Sequence, residues 1–341
     1  MCLATILALT FIQALLMPKY IENPEGTLVG DYYDEAGGND VLFLGDCEVY
    51  ESFIPAVLFE EYGITSYVRG SAQQLVWQSY YLLEEMLEYE RPRAVVFNVY
   101  ALKYGEPQND ANNRMTLDGM SWSASKIDAV RASMVTKEQE ENTDGHMQAE
   151  HFLEYVFPLL RFHSRITKLG TEDFEYVFKT NYVSHSGYLM QTAVKPMNEE
   201  QTPDDLFESD FPTTAIEYLD KMRELCASEG IELILVKAPT NHEDYWWYDA
   251  YETQVEAYVE QYGLEYINFI PLCDEIGIDW QTDTYDYGRH LNVFGAEKLT
   301  KYFGKILSED FGMPDRRAES DVAAAWEKRI ERYYTCKNSN K

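Results

Sequence analysis

Hydrophobic positions along the chain fall into two rhythms. Five short, nearly continuous apolar runs cover 40–44, 64–68, 93–99, 232–236 and 264–269, and the first two end at Gly45 and Gly70. Between them lie longer segments whose apolar residues recur every three or four positions, at 53–61, 72–90, 213–228, 249–262 and 292–308. In 213–228, for example, Ile216, Leu219, Met222 and Cys226 share one helical face. Continuous apolar runs are the mark of strands covered on both sides, and spaced ones of helices packed against them. The alternation predicts an α/β fold, a three-layer α/β/α sandwich around a five-stranded parallel sheet of flavodoxin-like order. Folds of this kind bind ligands beyond the carboxyl ends of their strands.

The rhythm stops between 104 and 205. That stretch has a polar run at 106–116, helical segments near 125–139 and 149–168, and an irregular aromatic run to about 194. A hundred residues is too long for a crossover, so 104–205 is expected to be an inserted, mainly helical lid subdomain. The core domain is then 28–103 with 206–312, and 313–341 is a tail with a helix at 319–334.

At the other end, residues 2–17 carry no charge and one strongly polar side chain, Gln13. As a helix they span about 24 Å, against about 30 Å for a bilayer core. The run exceeds a signal-peptide core and lacks a small-x-small cleavage site. Residues 1–19 are therefore expected to form an uncleaved signal anchor, a transmembrane segment holding an extracytoplasmic body at the cell membrane. A buried core helix would be apolar on one face, and this stretch is apolar all round.

Composition narrows the function. With 28 basic and 59 acidic residues the net charge is −31, and a surface so negative repels phosphate backbones, so no nucleic-acid partner is expected. Forty-five per cent apolar residues suffice for a large core. The 27 tyrosines and six tryptophans lean towards sugars and other neutral polar ligands, because such rings pair an apolar face with a polar tip. The five cysteines, at 2, 47, 226, 273 and 336, include no CxxC pair and form no disulfide framework. Asp46, Asp283 and Asp286 have no ligand-like spacing, so neither a metal nor another cofactor is expected.

Two constellations carry candidate chemistry. Gly45-Asp46-Cys47-Glu48 directly follows the first strand, which puts Cys47 at the carboxyl edge of the sheet beside a helix start. A thiol there can have a lowered pKa and act as a nucleophile; equally, Cys47 can be a small apolar plug. The second is Asp283-Thr284-Tyr285-Asp286-Tyr287-Gly288-Arg289-His290-Leu291-Asn292, before the last core helix. A carboxylate and an imidazole on one loop can form a base and its orienting group. The alternative is that Asp286 or Asn292 caps the helix and His290 lies exposed.

Taken together these segments resemble the SGNH/GDSL hydrolase family over most of 40–310. The first block, Gly-Asp-Ser, appears as Gly45-Asp46-Cys47; the second falls at Gly70; the last, Asp-x-x-His before a helix, appears as Asp286 to His290. More narrowly, 45–51 (Gly-Asp-Cys-Glu-Val-Tyr-Glu) is similar to membrane-anchored extracytoplasmic SGNH-like proteins of Gram-positive, clostridia-like bacteria. The chain departs from the family in having Cys for Ser, one extra residue between Asp and His (which leaves Asp283 as a less favoured orienting carboxylate), and no Gly-x-Asn-Asp after the third strand. The resemblance implies Cys47 as nucleophile, His290 as base and Asp286 as orienting group. The oxyanion would be held by the N–H groups of Cys47 and Gly70 with help from Asn98, and Asp46 would belong to the same site. It also implies an esterase or O-acyltransferase acting on acyl, chiefly O-acetyl, groups of an envelope polysaccharide or other acylated small molecule. A membrane-bound O-acyltransferase is a candidate partner. The rival expectation is a catalytically silent surface module that binds glycan or a membrane partner. In the lid, Arg161 and His163 either line the cleft to hold an anionic substrate group or pair with surplus carboxylates, and the acidic composition favours pairing.

Overall fold

The structure is a computed structural model that describes residues 2–18, 28–107, 109–135, 152–178, 184–197, 210–241 and 248–339. Strands β1 (Val41–Gly45), β2 (Ser66–Gly70), β3 (Ala94–Asn98), β4 (Glu232–Lys237) and β5 (Glu265–Asn268) pair in parallel in the order β2-β1-β3-β4-β5. This is the flavodoxin-like order, and its switch point lies between β1 and β3. Every position of β1, β2 and β3 is buried, which is why their sequence runs are continuous rather than alternating.

Successive strand residues feed opposite cores. Leu42, Leu44, Val95 and Phe97 face helices α4 (Val76–Met86), α10 (Thr213–Glu229) and α11 (Tyr248–Tyr262). Val41, Phe43, Val96 and Ile234 face α13 (Val293–Glu309), whose Leu299, Phe303 and Leu307 are buried, and α3 (Pro55–Tyr62). The tail helix α14 (Ser320–Ser339) closes the second layer by stacking Trp326 on Phe59 at 5.0 Å. The three-layer sandwich expected from the hydrophobic pattern is thus present.

Parts of 104–205 extend the first helical layer. Helix α5 (Asp110–Leu117) leads to α6 (Ala124–Val135), which packs on α4, and α7 (Phe152–Val156) packs on α6. The helix expected over 149–168 is broken: α7 stops before Pro158, then α8 (Leu159–Phe162) runs into a 3₁₀ turn at His163–Thr167. Proline cannot continue a helix, since it has no N–H and clashes with the preceding turn. The rest of the two expected helices, 136–139 and 149–151, lies outside the described residues.

The uncharged run at 2–17 forms helix α1 (Cys2–Leu16). Its 15 residues rise about 22 Å, and no described helix is long and apolar enough to cross a membrane. Its C-terminal end is docked. Leu15 and Leu16 are buried, α1 packs on α8 and α9 (Thr171–Val177), and the Arg165 guanidinium donates to the Leu16 carbonyl.

Candidate active site

The turn after β1 is shaped by two glycines. Gly45 has φ +153°, and a Cβ there would stand 2.5 Å from Val49 Cγ2. A Cβ on its ladder partner Gly70 would stand 2.6 Å from the Gly45 carbonyl oxygen. With both clear, the chain turns from β1 into a single helical turn, α2 (Cys47–Tyr50), and the Asp46 carboxylate caps it by accepting the Glu48 N–H at 3.2 Å. Cys47 occupies the first helical position, where the N–H has no intrahelical acceptor.

The loop before α13 meets this turn from across the sheet. A bridge between Thr284 and Leu291 closes it, and Tyr287 and Gly288 both have positive φ, at 69° and 98°. That pair of positive φ angles lets the chain fold back on itself between Asp286 and His290. One Asp286 oxygen accepts the His290 backbone N–H at 2.8 Å and the other pairs with Nδ1 at 2.6 Å. His290 Nε2 then lies 3.0 Å from Cys47 Sγ. Asn292 caps α13 by accepting from Phe294 and Gly295, so the capping role falls to Asn292 and leaves Asp286 with the imidazole. Asp283, the other carboxylate of the loop, pairs with Lys298 at 2.6 Å and accepts from Asp279 N–H, away from this line.

Below the turn lies a buried polar network that single-sequence reading does not reveal. Lys237, at the end of β4, binds both oxygens of Glu48 at 2.9 and 2.7 Å, and both side chains are within a few per cent of full burial. Asn98 donates to Glu48 at 2.9 Å and to Asp46 at 3.4 Å, and its carbonyl accepts Ala238 N–H at 3.1 Å. The Asn98 amide protons thus point at carboxylates. Glu48 and Lys237 have no local signal; only the charge types and the strand-end position of Lys237 hint at them.

Electrostatics follow from burial. The lowered thiol pKa expected at a helix start is not found: burial pushes Cys47 up to about 11, with His290 opposing and Asp46 and Glu51 adding to it. A single turn supplies little helix dipole. Burial also pushes Asp46 up to about 7, reinforced by Glu48 and opposed by His290 and Lys237. For His290, burial alone would lower the pKa, but Cys47, Asp286 and Glu51 together hold it well above the usual imidazole value. Asp286 is held below the usual carboxylate range, burial being outweighed by its bonds to His290.

Arg161 and His163 stand elsewhere. Arg161 pairs with Asp110 at 3.1 Å and Glu154 at 3.7 Å, and exposed His163 hydrogen-bonds the Leu160 carbonyl at 2.8 Å. The pairing alternative accounts for Arg161. Among the described residues no group of three or more His, Cys, Asp or Glu side chains is arranged to hold a metal ion.

Comparison with known proteins adds little at the level of chemistry. No protein-family model matches the chain, and no curated protein matches it. Among the solved structures similar to it are two from Bacteroides species. One, from Bacteroides fragilis, is described as a "putative acylhydrolase", with 10% identity, a TM-score of 0.37, and 83% of this chain and 95% of that chain covered. The other, from Bacteroides thetaiotaomicron, is described as a GDSL-like lipase, with 11% identity, a TM-score of 0.33, and 82% and 90% covered. At that distance neither likeness bears on the reaction, which rests on the geometry of the site.

Proposed function

We propose that the chain is an SGNH-like acyl-transfer enzyme, an esterase or O-acyltransferase, with Cys47 as nucleophile, His290 as base and Asp286 as the group that orients the imidazole. One observation carries this reading: carboxylate, imidazole and thiol form an unbroken line with steps of 2.6 and 3.0 Å. Cys47 Sγ attacks the acyl carbonyl carbon as Nε2 takes the thiol proton. The ester C–O bond then breaks, the departing alcohol oxygen takes that proton back from Nε2, and a thioester remains on Cys47. Water or a second hydroxyl next attacks the thioester, giving its proton to Nε2, and Sγ leaves and recovers it. The N–H groups of Cys47 and Gly70 are the donors proposed for the oxyanion, in a position where one lost donor costs about 10²–10³ in rate.

The proposed substrate is an acylated glycan or a related small acylated molecule. Tyr287 supports this, being 44% exposed on the same loop as His290 and offering a ring for a sugar face. The proposed location is outside the cytoplasm, at a membrane surface. Its support is α1, which exposes Leu3, Ile6, Leu7, Leu9, Phe11 and Ile12. Transfer in concert with a membrane-bound O-acyltransferase belongs to the same proposal. The silent-module reading draws on a separate observation, that Asn98 spends its amide on Glu48 and Asp46 rather than on a substrate oxygen.

The test is incubation of the full chain with an activated acetyl ester, following intact mass and product release for wild type, Cys47→Ala and His290→Ala. A single added acetyl group or a burst, absent from both variants, is the expected result. Equal labelling of all three, or none in any, overturns the catalytic reading.

A further inference from the structure

The segment 45–51 ends in Glu51, a carboxylate that the proposed reaction leaves unused. It lies one helical turn beyond Cys47, with its N–H donating to the Cys47 carbonyl at 3.1 Å, and it is 3% exposed. Its two oxygens are both engaged. One accepts the Tyr285 hydroxyl at 2.9 Å and the other accepts the Gln191 side-chain amide at 3.2 Å. Tyr285 in turn lies nearly parallel to the His290 ring, 22° between planes and 6.0 Å between centroids. Gln191 belongs to a strand-like strap, whose Leu189 N–H donates to Tyr50 O and whose Gln191 carbonyl accepts from Val293 N–H. The strap therefore joins the nucleophile's turn to the start of α13.

His290 is thus held on two sides. Asp286 grips Nδ1 and the backbone N–H from within the loop. Tyr285 lies beside the ring, nearly parallel to it, and is itself tied to Glu51, at the end of the turn that carries the thiol.

We propose that Glu51 is a positioning residue for His290, acting through Tyr285 to fix the imidazole against Cys47 and to stabilise its protonated form as a second carboxylate. The inference rests on the catalytic reading of Cys47 and His290. A carboxyl buried this deeply needs no cleft access to act, because a charge near the imidazole works through space. The charged and titratable groups that act on His290 or stand beside it are Cys47 from α2, Asp46 and Glu51 at its two caps, and Asp286, Tyr285 and Arg289 from its own loop; Lys237 sits beyond Asp46 on Glu48. Burial pushes Glu51 itself up to about 7, with His290, Tyr285 and Gln191 opposing, so the carboxyl and the imidazole titrate against each other.

Glu51→Gln and Tyr285→Phe in the full chain test this, alongside wild type. The first readout is the titration of His290 followed by NMR of histidine-labelled protein, assigned among the six histidines by His290→Ala. Glu51→Gln is expected to lower the His290 midpoint by about one unit, and Tyr285→Phe to lower it less, because it keeps the ring and cuts the link. The second readout is acylation by the activated ester: kcat falls about tenfold or more in Glu51→Gln with KM little changed, and its rising pH limb moves to lower pH by the same step. Glu51→Asp, which restores the charge, recovers part of the midpoint. A His290 midpoint identical to wild type in Glu51→Gln, with only thermal stability reduced, overturns the proposal and leaves Glu51 a structural carboxyl. If wild type shows no acylation, the catalytic reading fails while the histidine titration still decides the positioning role.

Discussion

At the scale of single residues the thiol and the imidazole each hold their protons tightly, and that sets the pH behaviour. Cys47 is pushed up to about 11 and His290 lies well above 6.5, so the pair must lose one proton before Sγ can attack. The rate of acylation is expected to rise with pH along a limb centred above 6.5, the ordinary imidazole value. A pH profile of kcat/KM on an activated ester checks this, and a limb centred below 6.5 would contradict it. Asp286→Asn removes the carboxylate charge that faces Nδ1 and favours the wrong tautomer, with an expected loss of about 10³–10⁴ in kcat and a limb moved to lower pH. Cys47→Ser keeps the line to His290 and replaces the thioester with an oxygen ester. It should retain measurable turnover that iodoacetamide no longer abolishes, whereas alkylation should silence the wild type; mass spectrometry of the alkylated proteins shows which residue reacted.

At the scale of elements, the turn after β1 is joined to β3 and β4 through Glu48, Asn98 and Lys237. Lys237→Met leaves the Glu48 carboxylate buried without its cation, and losing one partner of such a pair costs about 3–5 kcal/mol. A lower denaturation midpoint in urea with an unchanged slope is expected, and Glu48→Gln combined with Lys237→Met should recover most of it. Failure of the double variant to recover would show that the pair is not the source. This network also marks where sequence reading stops. The five strands were legible because burial on both faces makes their runs continuous, and boundaries moved by only a residue or two. The second strand starts at Ser66 rather than Ile64, since the Thr65 carbonyl accepts the Asp40 and Val41 N–H groups before the ladder begins. Cys47 and His290 were legible through their positions after β1 and before α13. Asn98 was legible as the polar residue at the end of the third strand, yet its partners lie 50 and 52 residues away at Glu48 and Asp46, a pairing no local pattern encodes. The same holds for Glu51 with Tyr285, 234 residues apart, whereas Pro158 is a local signal that by itself breaks the lid helix.

At the scale of the whole molecule, acidity and burial act together on stability. Burial raises Asp31 to about 6 and Asp46 and Glu51 to about 7, and His290 is also raised. A carboxyl whose folded pKa exceeds its unfolded value binds more protons in the native state, so its contribution is full below about 4 and is lost as pH rises through 6 to 7. His290 runs the same way, its contribution disappearing as pH climbs through a folded value above 6.5. His185 runs the other way, because burial lowers it to about 4, so stability from that residue grows between pH 4 and 6.5. Asp286, Glu35 and Asp110 are lowered, so they lose their contribution only below the ordinary carboxylate range. Among the described residues Glu90 and Glu252 are raised by burial as well, so these carboxyls and His290 oppose His185, and the net charge of −31 adds self-repulsion as the last carboxyls ionise. The melting temperature of the full chain is expected to be highest near pH 5 and to fall by on the order of 5 °C or more by pH 8. Added salt should restore more of it at pH 8 than at pH 5, because screening acts on the repulsion. Replacing Asp46 with Asn should flatten the slope, since the variant has no proton to lose there. A melting temperature that rises from pH 5 to 8 in wild type would mean that these carboxyls are ionised and satisfied in the folded state, and the burial argument for the site would fall with it.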